Sequence, residues 1–236
     1  MKTNLMFAAL MTGVMAFNCA ALAQEESKPE KTEQGEQRQE KKREKARDRG
    51  DKASTPTVKV GDTAPEFKLT DTDGKEHTLS ELTKSGKIVV IQWFNAQCPF
   101  VKKHYGDAGN TFNDIHTKYA SKDVMLVAIN SNADGMQGSG TKLNAQYKTD
   151  WKIEYPILMD PTGETGKAYG AKNTPAMYIV GKDGKIAYMG AIDDDSGADK
   201  PGKTNYVTNA LDQMLAGETV STPSTRPYGC SVKYKK

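Results

Sequence analysis

Residues 88–105, IVVIQWFNAQCPFVKKHY, decide the fold. Ile88 to Phe94 is an apolar, largely β-branched run, the pattern of a strand buried on both faces. Three residues later comes Cys98-Pro99, and proline suits the first helical position, where its missing N–H would have found no partner. From Val101 the apolar residues continue at Tyr105, Ala108, Phe112, Ile115 and Tyr119, which draws one stripe down a helix. Gly106 and Gly109 weaken that helix and are its candidate kink. Cys98 is thus expected where a central strand turns into a helix, with Lys102 one turn on. A helix N-terminus favours thiolate over thiol, and thiolate is the reactive form. An inert core cysteine is the competing expectation.

The chain outside this stretch reads as an α/β domain. Lys68–Thr70 and Glu76–Leu79 flank an Asp73-Gly74 turn, a hairpin signature. Val124–Asn130 is a second buried strand, Lys142–Trp151 a helix, Tyr155–Met159 a short strand and Glu164–Tyr169 a small helix. Ala176–Val180 and Lys185–Met189 form a hairpin across Lys182-Asp183-Gly184. Asn205–Ala216 is an amphipathic helix stopped by Gly217. This order predicts a three-layer sandwich, a mixed central sheet with helices on both faces.

Thirty-three basic against thirty acidic residues leave a net charge of +3, which calls for neither a nucleic-acid nor an acidic partner. Residues 1–23 read as a secretory signal: Lys2, an apolar core from Leu5 to Phe17, and Ala21-Leu22-Ala23 before Gln24. Lipidation at Cys19 is set aside, because Phe17 and Asn18 lead into it poorly. No later apolar run reaches membrane-spanning length, so the expectation is a periplasmic or secreted protein without membrane insertion. Residues 24–57 form a spacer; ten basic and nine acidic residues lie between Gln24 and Thr55, too little apolar surface to fold. The folded domain is placed at 58–217, and 218–236 is a surface tail carrying Cys230. After signal removal two cysteines remain, and in an oxidising compartment they form either a static staple or a working redox pair.

Cys98-Pro99 at the strand-to-helix junction and Thr174-Pro175 before a strand resemble the thioredoxin fold, in which a cis-proline packs beside the active cysteine. The stretches CPFVK (98–102), VAINSN (127–132), AYGA (168–171), GAIDD (190–194) and GCSVK (229–233) are similar to the peroxiredoxin-like branch of the AhpC/TSA and redoxin family, over roughly 58–233. The resemblance implies a thiol oxidoreductase with no cofactor and no metal. Cys98 would be the nucleophile and Cys230 the resolving thiol, with Lys102 beside the sulfur and Thr174 and Pro175 shaping the partner groove. Its partners would be a disulfide-bearing protein or a peroxide, and an external thiol reductant.

The chain departs from the family in three places. Val101 stands where thioredoxins carry their second cysteine, so Cys230 is the internal candidate. Asn95 replaces the peroxiredoxin threonine, and the one arginine after residue 49 is Arg226. The alternatives are a binding module with a permanent Cys98–Cys230 bridge and, as a minor reading, a copper-delivery site pairing Cys98 with His104. His104, His116 and Asp193–Asp195 are expected to be solvated, and Gly138-Ser139-Gly140 lacks a phosphate-loop context.

Overall fold

The computed structural model describes residues 58–84, 86–106 and 108–235, within the second of two units into which the chain divides, 54–236. The expected signal and spacer lie outside the described residues. Seven strands form one mixed sheet: β1 (Lys68–Asp71), β2 (Glu76–Thr78), β3 (Ile88–Trp93), β4 (Val124–Asn130), β5 (Ile157–Met159), β7 (Met177–Val180) and β8 (Ile186–Gly190). Their order is β2-β1-β5-β4-β3-β7-β8. β3 runs parallel to β4 and β4 to β5, while β7 lies antiparallel to β3. The remaining strands, β6 (Asn173–Thr174) and β9 (Cys230–Ser231), pair only with each other.

Alternation along β3 divides the core. Ile88, Val90 and Phe94 face one cluster and Val89, Ile91 and Trp93 the other, so every side chain of the strand is buried. This is why it reads as one continuous apolar run rather than an alternating one. The first face is covered by α2 (Pro99–Lys102), α3 (Thr111–Tyr119), α4 (Thr141–Asp150) and α6 (Tyr206–Leu215); the second by α1 (Leu79–Lys84) and α5 (Glu164–Tyr169). α6 starts where expected, with the Asn205 side chain accepting the Thr208 N–H at 2.9 Å.

The expected single helix after Cys98 is two helices. α2 ends at Lys102, and the chain passes Gly106 at φ +81° before α3 begins. Five of the six stripe residues are still buried; Ala108 is exposed in the break. The apolar period survived because both pieces pack on the same face, while the left-handed glycine ended the helix between them.

The tail is not a loose surface segment. The Met189 N–H donates to Pro223 O and the Thr225 N–H to Met189 O, each at 3.1 Å, β9 pairs with β6, Val232 is buried, and the Val232 N–H donates to Lys172 O at 2.9 Å. Gly229, at φ +106°, allows this approach: a Cβ there would lie 2.2 Å from Thr174 O. Among the described residues no helix is long and apolar enough to cross a membrane.

Phe94 is fully buried, edge-on to Tyr105 and Trp151 with centroids at 6.1 Å. Phe94→Ala should lower unfolding free energy by about 3–5 kcal/mol in denaturant titration, with an unchanged slope.

Candidate functional site

β3 delivers Cys98 to the edge of its sheet face, and the turn from Asn95 aims it: the Cys98 N–H donates to Asn95 O at 3.0 Å. Cys98 then caps α2 with extended backbone, φ −80° and ψ 123°. Because α2 is a single turn, its dipole is short and the helix-terminus field expected from the sequence is reduced. The sulfur is fully buried, and the thiol donates to Thr174 O at 3.1 Å.

Thr174 joins Pro175 through a cis peptide bond, as the resemblance implied. Its backbone also receives the tail: Thr174 is the register partner of Cys230, and Asn173 of Ser231. The Asn173 side chain donates to Gly229 O at 3.1 Å. The backbone ridge that the sequence reading reserved for an extended partner thus holds the chain's own residues 229–231. Cys98, Thr174, Pro175 and Cys230 come together; both cysteines are free thiols in contact. Burial, and next the neighbouring Cys98, push the Cys230 thiol up to about 12, only partly offset by Lys233. Cys230 is therefore a thiol at neutral pH and a poor first nucleophile.

Lys102 does not join them. It is exposed, as is Arg226. The buried cation is its neighbour Lys103, and with it lie His104 and Asp193, the last two expected in solvent; all three are at most 3 % exposed. Lys103 Nζ donates to Asp195 O at 2.6 Å, lies 3.8 Å from the Asp193 carboxylate and 4.5 Å from the centre of the Tyr228 ring. Tyr228 donates its hydroxyl to Asp193 Oδ1 at 2.6 Å, and Asp193 also accepts the Gly202 and Asp195 N–H groups. With the Tyr228 hydroxyl directed at Asp193, His104 Nε2–H donates to the Tyr228 oxygen at 3.1 Å and Nδ1 accepts from the Thr111 hydroxyl, also at 3.1 Å. One ring proton satisfies both contacts, and burial favours the neutral imidazole. Both ring nitrogens are engaged, which leaves neither for the metal pairing with Cys98. His116 is half-buried, 3.8 Å from Glu154. The signal that pointed to this cluster was its position: Lys103 and His104 directly follow the cysteine helix, and Tyr228 directly precedes Gly229-Cys230.

Burial is the main cause that lowers His104 to about 4; Lys103 adds to it and Asp193 opposes it. An unfolded histidine titrates near 6.5, so on acidification the unfolded chain binds the proton first. Stability present above pH 6.5 should be lost progressively towards pH 4, by up to about 3 kcal/mol. Denaturant titrations across this range should show that slope in the wild type and lose it in His104→Gln.

The sequence model of the AhpC/TSA family matches residues 60–189. The chain is 28% identical over 129 residues to the thiol-disulfide oxidoreductase ResA of Bacillus thuringiensis subsp. konkukian (strain 97-27), covering 55% of this chain and 68% of that protein. Among solved structures, an uncharacterized conserved protein from Geobacillus kaustophilus superposes with a TM-score of 0.68 at 32% identity, covering 75% of this chain and 93% of the other. A hypothetical protein from Sinorhizobium meliloti 1021 gives 0.66 at 26% identity, covering 75% and 96%.

Proposed function

The chain belongs to the AhpC/TSA family, and from that premise we propose that it is an exported thiol-disulfide oxidoreductase of the thioredoxin-like type, with Cys98 as nucleophile and Cys230 as resolving thiol. The observation that carries this reading is the contact of two free thiols at the Thr174–Pro175 ridge. The name of the ResA relatives supports the same chemistry. Export rests on the signal-like first 23 residues.

The reaction balances in two exchanges. Cys98 thiolate attacks one sulfur of a substrate disulfide, forming a mixed disulfide and expelling the other sulfur as thiolate, which takes up a proton. Cys230 then attacks the Cys98 sulfur, releasing the second substrate thiol and leaving a Cys98–Cys230 bridge. The substrate gains two electrons and the enzyme loses two; an external dithiol returns them. Once Cys98 is in a mixed disulfide its contribution to the high Cys230 value is gone and Lys233 still opposes it, although burial, the largest cause, continues to favour the thiol. Since Cys98 is wholly covered, residues 229–231 must lift from Thr174 before a substrate disulfide reaches it.

A disulfide is favoured over a peroxide. Asn95 offers only a neutral, unpartnered Nδ2 donor, its oxygen accepting the Gln97 N–H at 2.9 Å; Lys103 donates to Asp195 O, and Lys102 and Arg226 are exposed. None of these three cations is held at the Cys98 sulfur to orient a peroxide.

Thiol trapping and mass spectrometry across a glutathione series should find a Cys98–Cys230 bridge that opens at an intermediate potential in the folded protein. A bridge that persists until unfolding would make it a staple and end the catalytic reading. Cys98→Ser should reduce disulfide turnover to background. Cys230→Ser should slow it by roughly two orders of magnitude, the loss of an intramolecular resolving step, and accumulate a mixed disulfide at Cys98; unchanged turnover would remove Cys230 from the mechanism.

A further inference from the structure

The β6–β9 pairing that faces Cys230 towards Cys98 is two residues long. So short a ladder fixes its register weakly, and a slip of one residue would place Gly229 or Ser231 opposite Thr174 instead of Cys230. The register must be set by what flanks it. On the C-terminal side Val232 is buried, and the Lys233 N–H donates to Asn132 Oδ1 at 2.9 Å. On the N-terminal side stands Tyr228, two residues before Cys230. Its hydroxyl is fixed by two directional bonds, to Asp193 at 2.6 Å and His104 at 3.1 Å. Its ring packs on Phe100, two residues after Cys98, at 6.2 Å, with Lys103 over its face.

These contacts tie three segments together: the turn carrying Cys98, the loop after β8, and the tail. An apolar anchor would bury the ring as well without interring a lysine, a carboxylate and a histidine. Buried polar groups of this kind are best attested where they specify one arrangement among several. Resting on the oxidoreductase reading, we propose that Tyr228, held by Asp193 and His104, is the positioning residue for Cys230: it fixes the register of the tail and thereby the effective concentration of the resolving thiol at Cys98.

The test is the equilibrium in which the Cys230 thiol displaces glutathione from a Cys98–glutathione mixed disulfide, giving the Cys98–Cys230 bridge and one free glutathione. Full-length protein is equilibrated with reduced and oxidised glutathione, quenched, and the two species are counted by mass spectrometry. Tyr228→Phe keeps the ring over Phe100 and Lys103 and removes the hydroxyl. A bond to a charged acceptor lost from the bridged geometry should lower the effective concentration of Cys230 by about tenfold to hundredfold. Asp193→Asn retains an acceptor oxygen and should lose less. Both are compared in folded protein, shown by a cooperative melt, because a merely structural role would lower the melting temperature without changing the partition. A wild-type partition in Tyr228→Phe overturns the proposal. Should that variant not fold, Asp193→Asn decides in the same way: a reduced effective concentration supports the proposal, and a wild-type one overturns it. A wild-type protein that forms no bridge at any glutathione ratio fails earlier, and overturns the oxidoreductase reading together with this one.

Discussion

Thr174 is a backbone junction at which two distant parts of the chain, the Cys98 turn and the tail, meet. Its carbonyl accepts the Cys98 thiol at 3.1 Å, its strand pairs with Cys230, and a Cβ at Gly229 would collide with it. The sheet can be seen as the means of holding this point still. β3 brings Cys98 to it, β7 follows it directly in sequence, and β3 and β7 are hydrogen-bonded neighbours. Burying both faces of β3 makes that frame rigid, since close-packed side chains leave little room for adjustment.

Around the junction the protein accepts an electrostatic cost. Lys103, His104 and Asp193 are all out of water, and desolvation is the first cause acting on both Lys103 and His104. The cost is contained because each group finds partners. Asp193 accepts from Tyr228, Gly202 and Asp195, Lys103 donates to Asp195, and His104 is kept neutral between Tyr228 and Thr111. Only such closed networks are tolerable in a low-dielectric interior, and they define position more sharply than apolar contact does.

The division between what sequence revealed and what it hid follows from this. β4 matches its expected bounds and β3 ends one residue early, because their signal is a continuous apolar run set by burial on both faces. Cys98 and Cys230 could be singled out from residue type and position, and Thr174-Pro175 from the resemblance; the structure brings these residues together. The break at Gly106 was only partly legible: the apolar stripe spans it unchanged, since periodicity records which face is buried and not whether the backbone is continuous. His104 and Asp193 are buried against expectation, and Lys103 carries no sequence signal of burial, because charged residues are usually solvated and the exception depends on partners separated by about 90 to 120 positions. The tail was misread for a related reason. It packs through backbone hydrogen bonds, glycine and Tyr228, which leave no repeating pattern.

Residues 229–231 pair with Asn173 and Thr174, and on the proposed reading that is where an extended partner would lie, so the protein would carry its own competitor. Any incoming chain must win an exchange of strands against a tethered segment that is never diluted away. Its observed affinity is its intrinsic affinity multiplied by the fraction of time the segment is lifted. Discrimination can therefore reside in the equilibrium of that short segment rather than in the groove, which makes the tail a threshold that every visitor must exceed.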